Sequence, residues 1–214
     1  MIDFVVVSSD LRPHVLDTRV KRGAELSTDH HLVVSRQLSN VTSVMRTLHR
    51  SIVVKRELSR KAKLSIYRTI FVPTLTYGHE LWVMTERTRS QVQAAEMSFL
   101  RRVAGLSLSD RVRSSAIREE LGVEPLLFRV ERSQMRWLGH LVRMPPGRPP
   151  GEVFRACPSS RRPPGRPRKR WRDYVSRLVW ERLGVPPDEL EEVAGEREVW
   201  DSLLRLLPPR PDPG

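Results

Sequence analysis

TRSQVQAAEMSFLRRVAG, residues 88–105, carries the period of one helix with a buried face. Thr88 and Gln91 have the spacing of a capping box, and Val92, Ala95, Glu96, Phe99, Leu100 and Val103 recur on one face before Gly105 stops the run. Only Glu96 breaks the stripe. The same period extends outward in both directions. Upstream, Val41, Val44, Met45, Leu48 and Ile52 form an amphipathic face that Ser39 can cap. Ser59 is placed to cap a second helix with Ala62, Leu64, Ile66, Tyr67, Ile70 and Phe71, which Pro73 bends or ends. Downstream, Asp110 to Leu121 reads as a short helix closed by Gly122, and Leu126 to Met144 as a longer one with Leu127, Val130, Leu138, Leu141 and Val142 inward. Trp171, Val175, Leu178, Val179 and Leu183 make a further apolar face that Gly184 ends. Pro186-Pro187-Asp188 opens a shorter acidic helix, and Trp200, Leu203, Leu204 and Leu207 complete the pattern. The prediction is a mainly α fold, a helical bundle with a short N-terminal β segment and a basic, proline-rich C-terminal region.

The β segment rests on residues 2–7 and 15–20, IDFVVV and VLDTRV, which are rich in β-branched residues and separated by Ser8-Ser9-Asp10 and Pro13. This divides the chain into 1–34, a helical region 39–144, a basic strap 145–170, C-terminal helices 171–207 and a disordered tail 208–214. The 17 prolines crowd from Pro145 onward and mark that third as loop-rich. The helix, glycine turn and helix of 110–144 have the layout of a helix-turn-helix and equally of an ordinary helical hairpin. A formal charge of +13 and a pI near 11.1 suit a nucleic-acid binder and would also suit an anionic surface. No apolar run approaches the roughly 18 residues that span a bilayer, and Asp3 stands where an export signal carries Lys or Arg, so no membrane or export role is expected. A single cysteine, Cys157, allows no internal disulfide and no paired-cysteine zinc site. That fits an intracellular protein, nuclear or shared between nucleus and cytoplasm. The spacing of His30, His31, His49 and His79 repeats no metal motif, so no metal site is expected. Trp137 and His140, at i and i+3 of one helix, read as core and core edge, and Trp82 and Trp171 as packing anchors.

RRPPGRPRKRWR, residues 161–172, holds Arg161, Arg162, Arg166, Arg168, Lys169, Arg170 and Arg172 with no acidic residue, and its prolines keep the first half extended. Such a run is either a solvated linker or a strap for a polyanion. Arginines hold their charge and reach phosphate with a two-pronged fork, so these seven are the candidate nucleic-acid contacts. Trp171 offers a flat face for a base or an anchor. Gly165-Arg166-Pro167 resembles the centre of an AT-hook, with Pro164 where that motif has its first arginine. The acidic segment of Glu189, Glu191, Glu192, Glu196 and Glu198 is placed to fold back on the strap.

Thr28-Asp29-His30-His31-Leu32-Val33 can hold an imidazole at a sheet rim as a general base, or be a surface pair. With the strands before it, this stretch resembles the end of the endonuclease/exonuclease/phosphatase fold. The resemblance implies that His30 handles the proton of an attacking water and Asp29 orients it, while the upstream metal-holding residues of that fold are not in this sequence. PTLTYGHELW at 73–82, EMSFLRRVAG at 96–105, RWLGH at 136–140 and GRPRKRW at 165–171 occur in that order after the polymerase palm of non-LTR (LINE-type) retrotransposon reverse transcriptases. Residues 40 to 205 resemble that region. The resemblance implies a thumb-like helical segment and a basic region that hold RNA and DNA, with 1–34 a remnant of the same element's endonuclease. The parent enzyme would need magnesium, but no Tyr/Phe-x-Asp-Asp pair for two-metal catalysis occurs here. The expectation is a nucleic-acid-binding relic with RNA or DNA as partner, no cofactor and Asp29 and His30 inactive. The alternatives are a helical protein-interaction module with an import-like basic tail, or a residual hydrolase at Asp29 and His30.

Overall fold

A computed structural model describes residues 58–156 and 170–208. The strands at 2–7 and 15–20, Asp29 and His30, the helix at 39–52, the strap from Arg161 to Lys169 and the tail beyond Pro208 lie outside the described residues. What is described is mainly α, without a strand among these residues.

Helix α1, Arg60–Ile66, starts where Ser59 Oγ accepts the Ala62 N–H at 3.2 Å. It runs directly into a π-helical turn, Tyr67–Phe71, and then α2, Val72–Leu75. Pro73 therefore does not end the helix. Its ring and missing N–H conflict with the carbonyl four residues back, and the helix widens just ahead of it. The hydroxyls of Thr69, Thr74 and Thr76 donate to the carbonyls of Ser65, Ile70 and Val72 at 2.7–2.9 Å, adding acceptor satisfaction along the distorted stretch. Gly78, at φ 66°, then turns the chain into a single 3₁₀ turn, His79–Leu81.

Helix α3, Glu86–Val103, begins three residues before the expected capping box. Thr85 is the cap and accepts from Thr88 N–H at 3.2 Å, so Thr88 sits inside the first turn, its hydroxyl 2.9 Å from that of Thr85. Two threonines three apart offered two starts, and the earlier one gains an extra turn. The expected helix from Asp110 is instead shorter. Leu108–Asp110 is a 3₁₀ turn, Arg111 takes a left-handed φ of 51°, and α4 spans only Ser114–Leu121. Helix α5, Leu126–Val142, follows Gly122.

The proline-rich region holds a helix that its composition hid: α6, Pro149–Arg155, with Gly151 and Phe154 buried. Its prolines occupy the first turn, where no N–H is needed, so they start the helix rather than prevent it. Helix α7 is Trp171–Leu183, α8 Leu190–Gly195 and α9 Arg197–Arg205. The acidic helix starts at Leu190, later than Pro186-Pro187-Asp188 led one to expect.

Helix α5 is the shared beam of the bundle. Leu126 and Val130 join one core cluster with Tyr67, Phe71, Phe99, Leu100 and Ile117. Phe128, Met135, Leu138 and Leu141 join a second with Val175, Leu178, Trp200 and Leu204, and Tyr174 packs on both. α5 packs into both cores and α4 into the first, so the two form a packed helical hairpin.

Buried polar side chains fix how these clusters meet. Glu96, the break in the apolar stripe of α3, is fully buried. Its Oε1 accepts from Tyr67 O–H at 3.1 Å and from the Leu126 N–H at 3.0 Å, while Oε2 meets Arg118 at 2.8 Å. The carboxylate thus caps the N-terminus of α5 from another helix, where an unpaired N–H and the helix dipole both favour a negative charge. Gln134, buried on α5, ties three segments together. Its Nε2 donates to the carbonyls of His79 and Trp82 at 2.9 and 2.8 Å, and its Oε1 accepts from Tyr174 O–H at 2.9 Å. Glu131 faces Arg182 at 3.0 Å and Arg89 at 3.4 Å.

Burial, then the charge and hydrogen bond of Glu96, hold the Tyr67 phenol protonated well above the ordinary tyrosine value of 10.0. Above that value the unfolded chain loses a proton that the folded chain keeps. Stability that is intact below pH 10.0 should therefore fall as pH rises beyond it, by about 1.4 kcal/mol per pH unit from this residue. Urea unfolding between pH 9 and 11 checks this: the parent should lose more stability across the window than Tyr67→Phe, and equal losses would refute it.

Candidate nucleic-acid interface

Of the seven strap cations, Arg170 and Arg172 are described, and Arg161, Arg162, Arg166, Arg168 and Lys169 are not. Arg170 is exposed at the N-cap of α7, with its carbonyl accepting from Tyr174 N–H at 3.0 Å. Arg172 is half exposed, but it already has partners: Glu191 at 2.6 Å and the ring of Phe154, 5.2 Å below its guanidinium. The acidic segment does reach back to the described end of the basic run. Such an exposed pair contributes little to stability, so a phosphate could displace the carboxylate at small cost.

Trp171 is an anchor. Its Nε1 donates to the Glu80 carbonyl at 2.8 Å, and its ring meets that of Phe154 edge-on at 6.2 Å. Trp82 is buried, as expected of a core residue. Trp137 is half buried beneath an exposed His140, their rings 5.1 Å apart.

Outside the strap, the exposed residues of α5 include Arg129, Arg136 and His140, spaced at seven and four residues along one face. The side chains of Arg136 and, on α3, of Arg102 are exposed and make no hydrogen bond or ion pair among the described residues. Other basic side chains are committed to structure. Arg101 donates to the Val112 carbonyl at 2.8 Å, and Arg132 pairs with Glu124 at 2.9 Å over the Phe128 ring. Two residues beside the strap went unnoticed in the sequence reading: Arg177 and Trp180, both exposed on α7. The available signal was Trp180 itself, a large aromatic on the polar side of a helix whose apolar stripe is already complete.

Among the described residues, no group of three or more His, Cys, Asp or Glu side chains is placed to hold a metal ion. No helix there is long and apolar enough to cross a membrane.

The described residues thus define an α-helical bundle with arginines along its exposed edges. No model of a known protein family and no solved structure matches the chain. The sequence is similar to an uncharacterized transposon-derived protein of Caenorhabditis elegans, with 24% identity over 197 residues, covering 83% of this chain and 70% of that protein.

Proposed function

We propose that this chain is a nucleic-acid-binding fragment derived from a retrotransposon reverse transcriptase with endonuclease, carrying neither a polymerase nor a nuclease centre of its own. The observation that carries the reading is the similarity to a transposon-derived protein over 83% of the chain. The motif order at 73–82, 96–105, 136–140 and 165–171 supports the LINE-type assignment, and the net charge of +13 supports a polyanionic partner, RNA or DNA. Phosphate contact falls to the strap, with Arg102, Arg129 and Arg136 on the bundle as additional cations. A nuclear or nucleus-cytoplasm site of action follows from such a partner.

The test is a salt-titrated binding assay on RNA and on duplex DNA. Each phosphate neutralised on duplex contributes about −0.9 to the slope of log affinity against log salt. Contact by about five of the strap cations gives a slope of about −4 to −5. Arg166→Ala, Arg168→Ala, Lys169→Ala and Arg170→Ala together should remove most of that slope and leave helix content unchanged. Unaltered slope and affinity in the quadruple variant would move the interface to Arg102, Arg129 and Arg136. A second reading, a protein-interaction module, draws on the exposed apolar residues Ile70, Tyr77 and Leu81. It predicts no binding to either nucleic acid at physiological salt.

A further inference from the structure

Beside the root of the strap lies a groove of about 480 Å³, floored by Leu138 and Val142 of α5, Phe154 of α6 and Leu190 of α8. Its wall is one face of α7: Asp173, Ser176, Arg177 and Trp180 stand at i, i+3, i+4 and i+7, with Arg172 and Glu191 at the rim. Trp180 is 52% exposed, which is unusual for the largest apolar side chain, and Arg177 has no hydrogen-bond or ion-pair partner among the described residues. We propose that this groove holds one unstacked base of a single-stranded nucleic acid, with Trp180 stacking on the base and Arg177 and Arg172 taking the adjoining phosphates. The proposal rests on the nucleic-acid reading above and deepens it.

The chemistry of the lining selects this occupant. The volume suits a ligand the size of a nucleotide. An apolar peptide would cover the floor and leave Arg177 and Asp173 without partners, which disfavours burial. A nucleotide matches every part. Its base has a π-face for Trp180, its amino or imino N–H suits Asp173, which can only accept, and its phosphate suits the guanidinium forks. A base paired in a duplex cannot reach such a floor, so the groove discriminates by strandedness.

The test uses the full chain with fluorescence anisotropy on three probes: a 12-nucleotide oligouridine RNA, the matching oligothymidine DNA and a duplex DNA of equal length. Trp180→Ala should weaken binding to single strands by roughly 5- to 160-fold, the range of one aromatic stacking contact. Duplex affinity and the salt slope should stay as in the parent. Trp180→Phe should keep most of the single-strand affinity. Arg177→Ala should weaken single-strand binding with a flatter salt slope, and it provides the readout if Trp180→Ala does not fold. Loss confined to RNA or to DNA supports the groove and assigns its natural strand. If the parent binds single strands and neither Trp180→Ala nor Arg177→Ala alters that binding, the groove is not the base site although the chain binds nucleic acid. Equal loss on single strands and duplex also overturns the proposal. If the parent binds none of the three probes, the nucleic-acid reading fails first and the groove proposal with it.

Discussion

Glu96→Ala should lower the unfolding free energy by about 3–5 kcal/mol, the range for breaking a buried ion pair by removing one partner. The change deletes the carboxylate that Arg118, itself only 4% exposed, faces at 2.8 Å. It also removes the acceptor of the Leu126 N–H and of the Tyr67 hydroxyl. Small domains have about 5–15 kcal/mol in total, so this single truncation should abolish much of the margin. Glu96→Gln keeps an acceptor without the charge and should lose less. Replacing both Glu96 and Arg118 by leucine should recover part of the loss, since an apolar pair of similar volume leaves no buried charge. Urea titration of the four proteins decides the matter, and an Ala variant within 1 kcal/mol of the parent would show that the pair does not hold α3, α4 and α5 together.

The second large effect is expected at Gly139→Ala. In the middle of a helix this change ordinarily stabilises by about 1 kcal/mol. Here the new Cβ would lie 2.5 Å from Cδ1 and Nε1 of Trp200 and 2.9 Å from Arg143 Nη1. The indole has little room to retreat: it is fully buried and its Nε1 donates to the Met135 carbonyl at 3.1 Å on the same helix. Arg143 is occupied too, donating to the Ala194 carbonyl at 2.6 Å. Overpacking against such neighbours costs about 1–3 kcal/mol or more, enough to reverse the propensity gain. The melting temperature should drop in Gly139→Ala, and the same substitution made on a Trp200→Leu background should be neutral or stabilising. A drop of equal size on both backgrounds would place the strain elsewhere.

Much of the helical architecture was legible because periodicity and stop signals are local. Ser59 caps where its position said it would, and Gly122 and Gly184 end α4 and α7 in left-handed conformation. What escaped were features that another part of the chain decides. Glu96 reads as a defect in the stripe until Arg118 and Leu126, 22 and 30 residues away, are brought to it. Pro73 reads as a bend or an end, and it is the flanking core residues Phe71, Val72 and Leu75 that decide, since their packing carries the helix past it. Pro149 and Pro150 read as loop, since composition alone does not distinguish the first turn of a helix from its interior. At the candidate interface, Arg170 and Arg172 were recognisable as cations, but the bond from Arg172 to Glu191 and the concavity beside Trp180 depend on how α6, α7 and α8 assemble.

The sharing of α5 between two cores has a consequence in time. During synthesis, Met135 emerges 65 residues before Trp200, whose indole binds its carbonyl. At about 5–20 residues per second, that is an interval of roughly 3–13 s. Throughout it, the first cluster can assemble from segments already made, while Met135, Leu138 and Leu141 wait for the partners that α7 and α9 supply. A nascent chain halted in that interval presents an apolar ribbon to its surroundings. The C-terminal helices therefore act late, closing a surface that a chaperone must otherwise shield.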